Sequence, residues 1–150
     1  HELTLIEEIA ENVIKSKAST VVVTGGEPSL YNLDPLCILL KQHSIETHVE
    51  TSGAYPLNGK WNWICLSPKK QNQPQKGIFK KANELKVIIS KSGDFDWAEE
   101  NAKKVEPSCK LYLQPEWSEY EKIIPQIVEF VKSNQKWQIS VQAHKFMHIP

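Results

Sequence analysis

The sequence predicts an α/β fold with a mostly parallel sheet and flanking helices. Segments with helical apolar spacing alternate with short runs rich in β-branched residues. The 150 residues, 40% of them apolar, are enough to bury one domain-sized core. Four polar, small-residue motifs each follow a predicted strand. In parallel α/β folds the loops at the C-terminal strand ends converge on a ligand.

Each element has its own warrant. Leu3, Leu5, Ile6, Ile9, Ala10 and Val13 recur at helical spacing and predict an amphipathic helix over 2–16. The β-branched run at 20–24 predicts a buried strand. Leu33, Leu36, Cys37, Leu39 and Leu40 predict a second helix, with Asp34-Pro35 at its start. Strands are expected at 46–50, 61–66, 84–89, 111–114 and 137–141, and helices at 95–105 and 119–133. The Lys-rich segment 69–81 and the turn at 56–60 are the long loops. No repeat or linker divides the chain.

Composition narrows the function. Eighteen basic and eighteen acidic side chains cancel, and none of the basic ones is arginine. That argues against a nucleic-acid surface, where guanidinium forks do much of the reading. No stretch reaches the roughly 20 apolar residues that span a bilayer, and no signal peptide is evident. Cys37, Cys65 and Cys109 are an odd, widely spaced set without C-x-x-C spacing. They suggest a reducing compartment, the cytoplasm, and no metal site of their own. The chain starts at His1, and its single Met is Met147, so a clipped N-terminus is expected.

The first motif is Thr24-Gly25-Gly26-Glu27-Pro28. Two glycines let a ligand approach bare backbone, and Pro28 stiffens the turn. An exposed Glu27 beside them suits a positively charged amino group better than a phosphate. The plainer reading is a strand-to-helix turn, which does not need two glycines followed by an acid. Glu50-Thr51-Ser52-Gly53 reads either as a cap or loop, or as a site in which Ser52 bonds a ligand. Ser67-Pro68-Lys69 is either loop chemistry or site lining. Gln114-Pro115 either ends a strand or points an amide into the site. Lys69, Lys70, Lys76, Lys80 and Lys81 read as a solvated loop rather than a phosphate site. In the tail, Phe146, Met147 and Ile149 are expected to anchor the chain and fix the carboxylate of Pro150. His144 and His148 lack metal-ligand spacing.

With these motifs in view, the chain resembles the radical S-adenosylmethionine (SAM) superfamily. The order Thr-Gly-Gly-Glu-Pro, Glu-Thr-Ser-Gly, Ser-Pro-Lys, Gln-Pro and a terminal Gln-x-His-Lys-x-x-x-Ile-Pro resembles, more narrowly, the 7-carboxy-7-deazaguanine synthase family. The resemblance implies a partial, TIM-like barrel of the radical SAM type. It implies that Gly25, Gly26 and Glu27 line the methionine end of SAM. Ser67, Pro68 and Lys69, with Gln114, Pro115, Glu116 and Trp117, would line the rest, and Ser52 is a further SAM candidate. Thr24 and Pro150 would contact the substrate, with His144 a further candidate. The implied chemistry starts when a reduced 4Fe–4S cluster cleaves SAM to a 5′-deoxyadenosyl radical. That radical takes hydrogen from 6-carboxy-5,6,7,8-tetrahydropterin. Magnesium then steers a ring contraction that loses ammonia and yields 7-carboxy-7-deazaguanine, a step of queuosine biosynthesis.

The family's three cluster cysteines sit in one compact loop, a spacing that Cys37, Cys65 and Cys109 do not have. The threonine of the magnesium site is also missing. Residues 1–150 are therefore expected to be a partial radical SAM core domain, inert alone, with no catalytic or metal-binding residue of its own. A flavodoxin-type electron donor and a homodimer formed through an exposed sheet edge are the expected partners. The rival readings are another short radical SAM enzyme, such as a glycyl-radical activase, or a non-catalytic SAM- or nucleotide-binding domain.

Overall fold

The computed structural model describes residues 4–149; Pro150 and the first three residues lie outside the described set. Two compact units divide the chain, one running through Lys81 and the other starting at Ala82. Both are built from parallel strands and helices, as the sequence predicts.

The first unit contains α1 (Ile6–Lys15), β1 (Thr20–Val23), the 3₁₀ turn η1 (Pro28–Leu30), α2 (Asp34–Gln42), β2 (Glu46–Thr51), β3 (Trp63–Leu66) and α3 (Lys76–Phe79). Its strands lie in the order β1-β2-β3, and both pairs are parallel. Val23 pairs with Val49 and Thr51 with Leu66, so the three strands end at the same edge. The chain leaves that edge at Thr24, Ser52 and Ser67. The apolar stripes of α1 and α2 close over the strands. Ala10, Leu36, Leu40 and Ile45 form the buried cluster, and Ile6, Val13, Val21 and Val23 pack against it.

The second unit contains β4 (Glu84–Ile89), α4 (Asp94–Ala102), β5 (Lys110–Pro115), the 3₁₀ turn η2 (Trp117–Glu119), α5 (Tyr120–Ser133), β6 (Trp137–Ile139) and α6 (Ala143–Phe146). The order is β4-β5-β6, again parallel. Leu85, Val87, Ile89, Leu113, Ile123, Ile127 and Trp137 are its largest fully buried apolar side chains. Asp94 caps the turn into α4 by accepting from Ser90 N–H at 2.8 Å, Ser90 Oγ at 2.9 Å and Lys91 N–H at 3.1 Å. Trp137 Nε1 donates to Glu99 at 2.6 Å.

Some boundaries differ from the predicted ones. Segment 69–81 is not all loop, because it carries α3, whose Ile78 and Phe79 are buried among its lysines. β1 is not a buried strand. It has β2 on one side and no second strand partner among the described residues, and Val22 is 56% exposed. The predicted strand 61–66 begins at Trp63, and the predicted strand 137–141 stops at Ile139. The helix predicted to Val105 stops at Ala102, where the turn from Asn101 O to Lys104 N–H closes it ahead of Pro107. No described helix is long and apolar enough to cross a membrane.

Gly53 shapes the end of β2. Its φ is +73°, and a methyl group there would lie 2.7 Å from Leu66 Cδ1 and 2.9 Å from Ile78 Cγ2. Gly53→Ala is expected to combine left-handed strain with overpacking and cost about 2–4 kcal/mol. Urea unfolding of the variant measures this, and an unchanged midpoint would contradict it.

Candidate active site

The site begins where β1 stops. Val23 is the last paired residue, and Thr24, Gly25 and Gly26 run exposed along the strand-end edge. Gly25 has φ +124°, a conformation that L side chains rarely adopt. A Cβ at Gly25 or at Gly26 would meet nothing within 4 Å. Packing therefore does not explain the second glycine; open space in front of the backbone does.

Glu27 then turns back and fastens the loop. Its Oε1 accepts from Ser29 N–H at 3.1 Å, from Ser29 Oγ at 2.6 Å and from Thr51 Oγ1 at 2.6 Å. Its Oε2 accepts from Ser52 N–H at 2.9 Å and also from Ser52 Oγ. Thr51 Oγ1 accepts in turn from Gly53 N–H at 3.0 Å. One carboxylate thus caps η1 and clamps the ends of β1 and β2 together. Burial pushes this carboxyl up, but the donors from Ser29, Ser52 and Thr51 outweigh it and hold the pKa down to about 2.

This corrects the sequence reading of Glu27. The acid is half-buried with both oxygens engaged by the protein rather than exposed. Ser52 likewise spends its hydroxyl on Glu27. Local sequence pattern does not reveal this, because Thr51 and Ser52 lie 24 and 25 residues from Glu27. A hydroxyl pair ending one strand and an acid ending its neighbour was the available signal.

A cleft of about 260 Å³ opens beside the clamp, lined by Thr24, Gly25, Gly26, Glu27, Ser52, Ser67 and Lys69 among others. The sequence predicts all seven as site residues, and an eighth, Pro68, that does not line this cleft. Leu30, Glu50, Tyr55 and Asn72, to which the sequence assigns no ligand role, also line the cleft. Ser67 and Pro68 are buried and Lys69 is exposed, with its Nζ 3.2 Å from Ser67 Oγ. The lining offers bare amides, hydroxyls, an ammonium and carboxylates, which fits a zwitterionic ligand.

The second unit holds the other predicted residues. Gln114 is buried, and its Oε1 accepts from Ser140 Oγ at 3.4 Å. Pro115 is buried as the last residue of β5. Glu116 caps η2, accepting from Ser118 Oγ and from Glu119 N–H at 3.2 Å, and the Ser118 bond leads in lowering its pKa. Trp117 contacts Tyr120 and Phe146. His144 is exposed on α6. The anchored tail is only partly found: Phe146 packs on rings, whereas Met147 and Ile149 are exposed.

The clamp has a pH signature. Glu27 has a folded pKa near 2 against an ordinary 4.5, so its contribution is full above 4.5 and is lost as pH falls toward 2. Glu27→Gln is expected to cost about 1–3 kcal/mol at pH 7, and the deficit should shrink below pH 4.5. Urea unfolding of both proteins across this range is the check; a deficit independent of pH would contradict it.

No protein-family profile matches the chain. The 7-carboxy-7-deazaguanine synthase of Synechocystis sp. is 46% identical over 149 residues, covering 99% of this chain and 71% of that protein. The synthase of Flavobacterium psychrophilum is 47% identical over 150 residues, covering 100% of this chain and 71% of that protein. The crystal structure of QueE from Escherichia coli matches with a TM-score of 0.80 at 25% identity, over 93% of this chain and 64% of that one. The shared architecture bears out the expected α/β fold, and identity at this level over the whole chain shows that it belongs to the 7-carboxy-7-deazaguanine synthase family.

Proposed function

We propose that this chain is part of a radical SAM carbon–nitrogen lyase that converts 6-carboxy-5,6,7,8-tetrahydropterin to 7-carboxy-7-deazaguanine with loss of ammonia. The observation that carries the reading is 46–47% identity, over essentially the whole chain, to proteins named for that product. The cleft supports it. Gly25 and Gly26 leave backbone open to the amino-acid end of SAM, Ser67 and Lys69 offer donors to its carboxylate, and Thr24 stands at the rim for substrate. In the second unit, Gln114, Pro115, Glu116 and Trp117 are assigned to SAM, and His144 and Pro150 to substrate, by resemblance alone.

When bound and reductively cleaved, SAM would supply the radical that starts the reaction; the protein binds, orients and shields it. Glu27 serves indirectly, by holding the glycine turn against β2 so that the amides keep one geometry. The described residues do not fit a 4Fe–4S cluster. Cys37, Cys65 and Cys109 are each buried, in α2, in β3 and just before β5, and no three potential ligands gather. The cluster and the magnesium ion fall to residues outside the described set. A flavodoxin-type donor supplies the electron. A second copy of the chain completes a homodimer, for which the exposed β1 edge is suited. Three free thiols suit the reducing cytoplasm.

The test is anaerobic assay of the reconstituted full-length protein with SAM, magnesium, a reductant and the carboxytetrahydropterin. The deazaguanine should form with the full-length protein and not with residues 1–150 alone. Gly26→Ala in the full-length protein should keep its melting temperature and weaken SAM binding roughly tenfold, because the new methyl occupies the cleft. No product from the full-length protein, or unchanged SAM affinity in Gly26→Ala, would overturn the reading.

A further inference from the structure

The second unit carries a ring cluster that binds its C-terminal segment to a strand-end loop. Trp117 opens η2 and Tyr120 opens α5, with ring centroids 5.7 Å apart. Phe146, the last residue of α6, meets both rings edge-on at 5.2 Å, with interplanar angles of 80° and 69°. Lys145 Nζ lies 4.9 Å from the Trp117 ring centroid. Edge-to-face rings and a cation over an indole are geometries that the ring quadrupole favours.

Little else holds this segment in place. α6 has only four residues, none of them buried, and a helix that short does not stand by itself. Met147 and Ile149 are 59% and 52% exposed. The hydrogen bonds of 143–149 given by the backbone are local, such as Met147 N–H to Ala143 O at 3.0 Å and Ile149 N–H to His144 O at 3.0 Å. They shape the tail without aiming it. The cluster is also separate from the core: Trp117 is 37% exposed and Phe146 48% exposed. Truncating Phe146 should therefore free the tail while leaving the unit folded.

We propose that Phe146 is the latch of the tail, a positioning residue that holds residues 143–149 against the Gln114–Trp117 loop through Trp117 and Tyr120. The consequence for function rests on the reading above, in which the loop takes SAM and the tail takes substrate. A latch between them couples the two: ordering the loop with SAM steadies Trp117, which steadies Phe146 and pre-orders the tail. Such coupling is reciprocal, so substrate held by the tail tightens SAM to the same degree.

Two measurements test it. The first is amide hydrogen exchange of the 142–149 segment in the chain itself. Phe146→Ala and Trp117→Leu should each speed exchange there, and the double variant should add little, because both remove the same contact. The second uses the reconstituted full-length enzyme. Phe146→Ala should raise KM for the carboxytetrahydropterin about tenfold and keep kcat within about twofold, and Phe146→Tyr should restore KM. Unchanged exchange in both single variants overturns the latch, and unchanged KM in a variant whose tail exchanges faster overturns its coupling to substrate. Absence of product from the unmutated full-length enzyme overturns the proposed function instead, and the exchange result then decides the latch by itself.

Discussion

The carboxylate of Glu27 is the interaction on which the site depends. Five donors from the 3₁₀ turn η1 and the end of β2 converge on it: the amides and hydroxyls of Ser29 and Ser52, and the hydroxyl of Thr51. Without it, the turn after β1 would be two glycines and a proline with no fixed relation to β2, and Gly25 and Gly26 are the residues least able to hold a shape alone. Partial burial opposes the charge, and the donors overcome it. The acid therefore does its work as frame, and the bare amides beside it are left for a ligand. This division explains why both glycines face open space while both oxygens of the acid next to them are held by the protein.

The second unit repeats the device in weaker form. Glu116 follows the last residue of β5 as Glu27 follows the end of the β1 segment. Each acid caps a 3₁₀ turn and takes the hydroxyl of the serine two residues on, Ser29 or Ser118. The common cause is topological. Parallel strands deliver their ends to one edge, the chain must turn there, and an acid followed by a serine satisfies the amides that the turn leaves unpaired. What differs is reach. Glu27 has a neighbouring strand end with two hydroxyls to clamp, whereas the carboxylate bonds of Glu116 stay within its own turn.

Much of this was legible in the sequence. β4 lies where the run Glu84–Ile89 predicts it, because alternate burial on a β-branched run leaves few other options. α2 begins at Asp34-Pro35 as its capping chemistry predicts. Seven of the eight residues predicted to gather in the first unit, all but Pro68, line one cleft, because strand-end motifs in a parallel sheet share an edge. Three things were not legible. The partners of Glu27 lie on another strand, so local pattern is silent about them. The exposure of β1 depends on which strands flank it, and Val21-Val22-Val23 reads the same at an edge as in a core. Phe146 looked like one of three equal tail anchors, and only the rings of Trp117 and Tyr120 set it apart from Met147 and Ile149.

The central claim is that one ionised carboxylate joins Ser29 and Ser52. The most direct measurement is a pH titration of their backbone amide proton shifts by NMR. The account predicts that both amides stay flat from pH 7 down through 4.5 and then move together toward a shared midpoint near 2. In Glu27→Gln neither should titrate. Separate midpoints, or a common step near the ordinary value of 4.5 with the fold intact, would contradict it.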